Sequence, residues 1–250
     1  MRFAVIGGTG LIGSQVVRGL DLAGHEAVPL SPRTGVDVLT GEGLDDALKD
    51  AETVVNLTNS PTFDEASLAF FQTSMTNLLA AARRSGAGHV VILSIVGADK
   101  VPGLVYFRAK TLQEEALRTG AIPYSIVRAT QFMEFIGTIL SWTAEDDTVR
   151  LPRTLLQPIA SADVAAAVAA VAAGPPLNGA RDVAGPDTYP LDELGRITLA
   201  ARGDPRSVIT DDSAGMFAAV HGDVLTVGEG ADVAPTHYAD WLEADLKPRA

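Results

Sequence analysis

Tyr106 and Lys110 form a Tyr-x-x-x-Lys pair, and Ser94 precedes the tyrosine by twelve residues. If the pair opens a helix, its i, i+4 spacing puts phenol and amine on one face. A free phenol has a pKa of about 10 and is a poor acid or base near neutrality. An adjacent ammonium favours the phenolate and lowers that pKa. Tyr106 is then expected to pass a proton to a carbonyl oxygen while a hydride reaches the carbonyl carbon. Ser94 is expected to hold that oxygen. Such a pair also recurs by chance, as a tyrosine at a helix start followed by a solvated lysine. Its weight comes from its surroundings.

Hydride chemistry needs a carrier, and the opening stretch offers a place for one. Phe3-Ala4-Val5-Ile6 is an apolar, strand-forming run, followed by Gly7-Gly8-Thr9-Gly10-Leu11-Ile12-Gly13 and an amphipathic segment. Gly7, Gly10 and Gly13 make a G-x-x-G-x-x-G variant of the dinucleotide fingerprint. Gly7 is expected to end the strand in a tight turn. Gly10 leaves room for backbone N–H groups near a pyrophosphate, and Gly13 lets the helix pack close to the sheet. The helix N-terminus offers unpaired donors and a partial positive charge to phosphates. Enzymes that use NAD usually carry an acid roughly 20 residues past the glycines. Here the tip of the second strand holds Ser31 and Arg33 and no acid. A hydroxyl and a guanidinium suit a 2′-phosphate, so NADP is the expected cofactor. Lys110 is also expected to reach the nicotinamide ribose.

The elements that must position these residues alternate. Strands are expected at Phe3–Gly7, Glu26–Leu30, Val36–Leu39, Thr53–Thr58, His89–Ser94 and Pro123–Ala129. Helices are expected at Gly10–Ala23, Leu44–Lys49, Glu65–Arg84, Phe107–Thr119 and Gln131–Ser141. Thr58-Asn59-Ser60 should lie beside the cofactor, because ligands bind beyond the carboxyl ends of strands in open α/β sheets. The character then shifts. Glu145-Asp146-Asp147 reads as an acidic loop, Arg150–Arg153 as loop-like, and Leu155–Ile159 as a strand. Ser161 reads as the N-cap of a helix ending at Gly174. Asp182–Ala184 reads as a last strand, with helices at Leu191–Ala201 and Tyr238–Leu246. The fold class is therefore α/β: a Rossmann, doubly wound parallel sheet over residues 1–150, with residues 151–250 as a small C-terminal substrate-binding region that completes the cleft.

Composition narrows the functional classes. The chain has 250 residues, 47% hydrophobic and 20% charged, which suits one large α/β domain or one with a small appendage. A net charge of −12 opposes a nucleic-acid backbone, so a small-molecule substrate and no nucleic-acid partner are expected. The absence of cysteine excludes disulfides, thiolate metal sites and a cysteine nucleophile. His25, His89, His221 and His237 lack ligand spacing and read as turn or surface residues, with no metal. The first strand begins at Phe3, so no signal peptide is expected. The longest uncharged apolar run, Val164–Gly174, is too short to span a bilayer. The expected location is cytoplasmic, with no membrane partner, and the expected state is monomer or homodimer.

Several motifs together carry a family resemblance. They are the glycine stretch, Asn77-Leu78-Leu79-Ala80-Ala81-Ala82, Leu93-Ser94-Ile95-Val96-Gly97, Tyr106-Phe107-Arg108-Ala109-Lys110, Ile126–Phe132 and Gln157–Ala165. From residue 1 to about 200 the chain resembles the atypical short-chain dehydrogenases/reductases, and within them the NmrA-like, NAD(P)-binding group. The resemblance implies an NAD(P)-binding Rossmann fold. It implies cofactor contacts at Thr9, Leu11, Ile12, Ser31, Arg33, Leu57, Thr58, Asn59, Ser94, Lys110, Thr130, Gln131 and Phe132. Many atypical members lack the tyrosine, whereas Tyr106 is present. Extended members usually carry an asparagine near the position of Phe71 and a Ser/Thr pair after the fifth strand, where only Ser94 stands here.

The expected activity is NADPH-dependent reduction of a small carbonyl, quinone or conjugated apolar substrate by hydride transfer. Phe132, Met133, Phe135, Ile136 and Trp142 would roof the site, although residues at such spacing more often belong to a core. One alternative is a non-catalytic, NADP-binding redox sensor of the NmrA-like type, against which Tyr106 and Lys110 count. The other is a nucleotide-sugar epimerase or dehydratase. The short C-terminal region and the absent asparagine and Ser/Thr pair count against that.

Overall fold

The structure is a computed structural model that describes residues 1–247. In chain order it contains β1 (Arg2–Ile6), α1 (Leu11–Leu22), β2 (Glu26–Leu30), α2 (Leu44–Ala47), β3 (Thr53–Asn56), α3 (Ala66–Ser85), β4 (His89–Ile95), α4 (Val105–Arg118) and β5 (Tyr124–Ala129). These are followed by α5 (Ile136–Trp142), β6 (Ala144–Glu145), β7 (Thr148–Leu151), β8 (Leu155–Leu156), α6 (Ser161–Ala173) and β9 (Gly179–Ala184). The last described elements are β10 (Tyr189–Pro190), α7 (Leu191–Ala201), β11 (Ser207–Thr210), β12 (Asp232–Val233) and α8 (Tyr238–Asp245). A seven-stranded parallel sheet runs in the order β12-β9-β5-β4-β3-β1-β2. The expected α/β, Rossmann-type sheet is thus present.

The chain divides into two compact units, Met1–Arg128 with Val164–Arg181, and Ala129–Asp163 with Asp182 onward. Residue 150, near which the composition shifts, lies inside β7 of the second unit.

In the first unit β1 pairs with β2 on one side and β3 on the other, all parallel. The winding reverses there, which opens a crevice beyond the carboxyl ends of β1 and β3. The core of this unit is aliphatic, with Ile6, Leu44, Leu48, Val54, Leu78, Val90, Ile92 and Ile126 essentially inaccessible. Pro29 can stand within β2 because β2 is the sheet edge and needs no outward N–H bond.

Val36–Leu39 is not a strand. The Asp37 carboxylate accepts the Leu39 N–H at 2.7 Å, and the Gly41 N–H closes back on the Asp37 carbonyl at 2.8 Å. That turn chemistry outcompetes a ladder, while Val36 and Val38 still enter the core.

His89 is not a surface residue. It lies buried at the start of β4, with Nε2 2.8 Å from the Ser125 hydroxyl, which accepts the Leu177 N–H at 3.0 Å. Burial pushes the His89 pKa below its ordinary value. The unfolded chain therefore takes up this proton first, at about pH 6.5. Stability held above that pH is lost as the medium is acidified, by up to about 1.4 kcal/mol per pH unit for this group. Thermal melts from pH 7 to 5 should show a smaller loss of Tm for His89→Gln than for the wild type.

The second unit corrects two expectations. Arg150–Arg153 is not all loop, since β7 holds Val149 and Leu151 buried with Arg150 outward, the period of a strand. Asp146, at φ 47°, turns the antiparallel β6–β7 pair. The helix expected from Gln131 begins later. The Ile159 N–H bonds the Gln131 carbonyl at 2.9 Å and the Met133 N–H bonds the Ile159 carbonyl at 2.9 Å. Gln131 and Phe132 are thus extended, and a 3₁₀ turn at Met133–Phe135 leads into α5. At the start of α6, both the Ser161 N–H and its hydroxyl donate to the Glu134 carboxylate. Among the described residues, no helix is long and apolar enough to cross a membrane.

Candidate functional site

The turn after β1 is shaped by close backbone approach. Gly7 sits at φ +76°, where a side chain would be strained, and a Cβ on it would stand 2.9 Å from the Leu57 carbonyl oxygen. A Cβ on Gly13 would stand 2.1 Å from the Gly7 carbonyl oxygen, so the first turn of α1 lies directly on the strand end. Gly8 meets the Pro29 Cα at 2.7 Å in the same test. Gly10 is the N-cap of α1 in extended conformation, with no side-chain cap and no acidic residue in the first turn. The leading amides of α1 therefore face the crevice without a competing carboxylate. Ile12 is buried on the core side, whereas Leu11 is 55% exposed.

Tyr106, Lys110 and Ser94 belong to the same unit. Tyr106 and Lys110 lie one turn apart on the buried face of α4, and Ser94 lies near the end of β4. The Tyr106 hydroxyl donates to Asn59 Oδ1. Its ring leans on Phe63, with centroids 4.8 Å apart, and meets Phe71 edge-on at 6.1 Å. Lys110 Nζ donates to the Leu93 carbonyl at 2.7 Å and to Gln113 Oε1, and lies 4.7 Å over the Phe71 ring. Burial lowers the Lys110 pKa to about 7, partly opposed by attraction from Glu114. Burial raises the Tyr106 pKa above the ordinary phenol range. The expected lowering of the phenol pKa by its lysine is thus reversed. Desolvation disfavours both charged forms, and the amine is engaged by Leu93, Gln113 and Phe71. What remains is a buried phenol that keeps its proton, which is the form a proton donor needs. The Ser94 hydroxyl is buried without a hydrogen-bond partner.

A family model described as NAD(P)H-binding matches residues 7–175, more than half of the chain. The chain belongs to the NAD(P)H-binding family. It is 26% identical over 149 residues to the photosystem II assembly factor Ycf39 of Synechocystis, a match covering 54% of this chain and 46% of that protein. The match therefore spans about half the length of that curated relative. Among solved structures, Citrobacter triphenylmethane reductase complexed with NADP(H) superposes with a TM-score of 0.67 at 19% identity, over 84% of this chain and 79% of that one. An NADPH-dependent quinone oxidoreductase from Escherichia coli superposes with a TM-score of 0.69 at 16% identity, over 98% and 100% of the two chains. The resemblance to atypical, NmrA-like short-chain reductases agrees with this membership.

The residues present fit the family's nicotinamide dinucleotide. The cradle at Gly7–Gly13 would be filled by a Cβ at either end. The hydroxyls of Ser31 and Ser94 are buried with no protein partner. Ser31 ends the β2 crossing, and Arg33 follows it, exposed, in the 3₁₀ turn Pro32–Thr34. Among the described residues Arg33 makes no hydrogen bond or ion pair. The Leu57 carbonyl borders Gly7. Both the Thr58 N–H and its hydroxyl donate to Asn56 Oδ1, at 3.1 and 2.8 Å. Thr9 lies in the turn itself. Thr130, Gln131 and Phe132 belong to the second unit, where the Thr130 hydroxyl and both polar atoms of the Gln131 amide are buried without partners.

Two residues, Gln113 and Glu114, escaped the motif reading, and a third, Asn59, takes a different role from the one expected. Gln113 holds the lysine, and its spacing one turn after Lys110 could have revealed it. Glu114 is buried and paired with Arg118 at 2.8 Å and Arg128 at 2.6 Å. Asn59 was expected only as a cofactor contact, yet it partners the phenol. Phe71 occupies α3, and the asparagine at the tyrosine comes from the segment after β3.

Proposed function

We propose that this chain is an NADPH-dependent oxidoreductase that reduces a small carbonyl, quinone or conjugated apolar substrate, with Tyr106 as proton donor. The observation that carries this reading is the Tyr106 hydroxyl, kept protonated by burial and already directed at an sp² oxygen. NADPH, when bound, supplies the hydride. Tyr106 donates the proton to the substrate oxygen, and Ser94, whose hydroxyl has no other partner, holds that oxygen. Lys110 braces the carboxyl end of β4 through Leu93 and is within the same buried face as the phenol. The amides at the start of α1 carry the diphosphate, and Ser31 and Arg33 carry the 2′-phosphate. The triphenylmethane reductase with NADP(H) and the NADPH-dependent quinone oxidoreductase, alike in fold, support the cofactor and the reaction class. NADPH oxidation by the purified protein, followed across quinones, aldehydes and enones, tests the reading. Binding of NADPH with no turnover of any of them would favour a cofactor sensor.

The cofactor preference is separately testable. NADPH should bind at least about tenfold tighter than NADH, the worth of a charge-assisted hydrogen bond. Arg33→Asp should remove that preference, because a carboxylate repels the 2′-phosphate and accepts from a ribose hydroxyl. Fluorescence titration with both cofactors checks this. Equal affinities in the wild type would overturn the role of Arg33.

A further inference from the structure

The segment between β3 and α3 closes over Tyr106 by its own side chains. Asn59 accepts the phenol hydrogen, and Phe63 lies against the phenol ring at 4.8 Å. Asn59 is itself exposed, and Phe63 is 41% exposed, so neither is part of the core. The segment is held at its ends. Thr58 is tied to Asn56 at 2.8 Å, Asp64 accepts from Thr62 at 2.8 Å and from the Ala66 N–H at 3.0 Å, and Glu65 pairs with Arg108 at 2.9 Å. Between these anchors a planar amide and an aromatic ring are presented to a buried proton donor.

An amide carbonyl is a neutral, planar acceptor and so has the shape and hydrogen-bonding sense of a substrate carbonyl. The cations nearby are engaged elsewhere. Lys110 is spent on Leu93, Gln113 and Phe71, and Arg108 is spent on Glu65 and the Pro102 carbonyl. A carboxylate beside the phenol would thus meet aromatic carbon and, among the described residues, the already engaged Lys110 and Arg108, at the desolvation cost of a charge.

We infer that Asn59 and Phe63 form an internal stand-in for the substrate, which an uncharged planar carbonyl compound displaces and a keto acid does not. This rests on Tyr106 being the proton donor, and names the substrate class of that same site. Because the strap competes for the phenol, apparent affinity equals intrinsic affinity reduced by the fraction of open molecules. Removing the amide opens the site.

The probes are duroquinone and phenylpyruvate, titrated into the protein without cofactor, so that no turnover occurs and no nicotinamide cation lies beside the phenol. The readout is the Cζ resonance of carbon-13-labelled Tyr106, assigned by its loss in Tyr106→Phe. Asn59→Ala should bind duroquinone about fivefold tighter than the wild type, the effect of one net hydrogen bond. Phe63→Ala should shift the same way, and phenylpyruvate should move the line in none of them. In turnover with NADPH the Asn59→Ala gain should appear as a lower KM. An unchanged or weakened duroquinone affinity in Asn59→Ala, or phenylpyruvate binding as well as duroquinone, overturns the inference. Wild-type turnover that survives Tyr106→Phe instead overturns the reading beneath it, so the two failures are distinguishable.

Discussion

Gly13→Ala is expected to cost the protein both stability and NADPH binding. The added methyl would stand 2.1 Å from the Gly7 carbonyl oxygen, 2.7 Å from the Gly8 Cα and 2.8 Å from the Gly7 carbonyl carbon. All three are backbone atoms, so no side-chain rotation relieves the overlap. Either α1 withdraws from the strand end or the turn opens. Overpacking of this kind costs about 1–3 kcal/mol where neighbours can yield, and here they yield only by deforming the cradle itself. The amides of the first turn then lose their alignment toward a diphosphate. Thermal melting with and without NADPH is the measurement: Tm should fall, and the upward shift of Tm given by NADPH should vanish. Gly19→Ala is the internal control on the same helix. Its Cβ would meet only the Ala169 Cβ, at 3.9 Å, so it should be neutral or stabilising by about 1 kcal/mol. A Gly13→Ala protein that melts and binds like the wild type would show that close packing at this glycine is dispensable.

The contrast between these glycines explains which parts of the fold are legible in the sequence. A position where one backbone lies on another admits a single residue type, so Gly7 and Gly13 announce themselves in the sequence together with their spacing. Strands β1, β3 and β4 are similarly plain, because burial on both faces demands continuous runs such as Val54-Val55 and Val90-Val91-Ile92. The edges are not plain. Ser207–Thr210 is a strand whose residues are exposed or only partly covered, so no alternation marks it. Val36 and Val38 alternate like a strand, yet Asp37 and Gly41 turn the chain between them. Within the site, Tyr106 and Lys110 share a helix face, and i, i+4 spacing discloses that. The partner of the phenol lies 47 residues away, and no local pattern couples Asn59 to Tyr106. The sign of the phenol shift was also hidden, because spacing reports that a lysine is near but not that both groups are dry. Desolvation then sets the direction of both shifts.

Tyr106→Phe is the substitution expected to affect catalysis most. Phenylalanine keeps the ring, and with it the contacts to Phe63 and Phe71. It removes only the hydroxyl that donates to Asn59. Melting temperature and NADPH affinity should therefore stay close to wild type, while kcat with a quinone or aldehyde falls about a hundred- to ten-thousand-fold, the usual contribution of a positioned general acid. The pH dependence makes the assignment sharper. A donor must be protonated to act, and burial holds the Tyr106 pKa above its ordinary value. Reduction should therefore not decline as pH rises from 7 to 9 through loss of this proton. Had the lysine activated the phenol by lowering its pKa, a descending limb in that interval would be present in the wild type and absent from Tyr106→Phe. A limb near pH 7 belongs instead to Lys110, whose pKa is lowered to about 7, and should disappear in Lys110→Met while persisting in Tyr106→Phe at its reduced rate. Stopped-flow and steady-state NADPH oxidation over this range checks both statements. Turnover left intact by Tyr106→Phe would require another group to supply the proton, and the buried, partnerless hydroxyl of Ser94 would be the next to test.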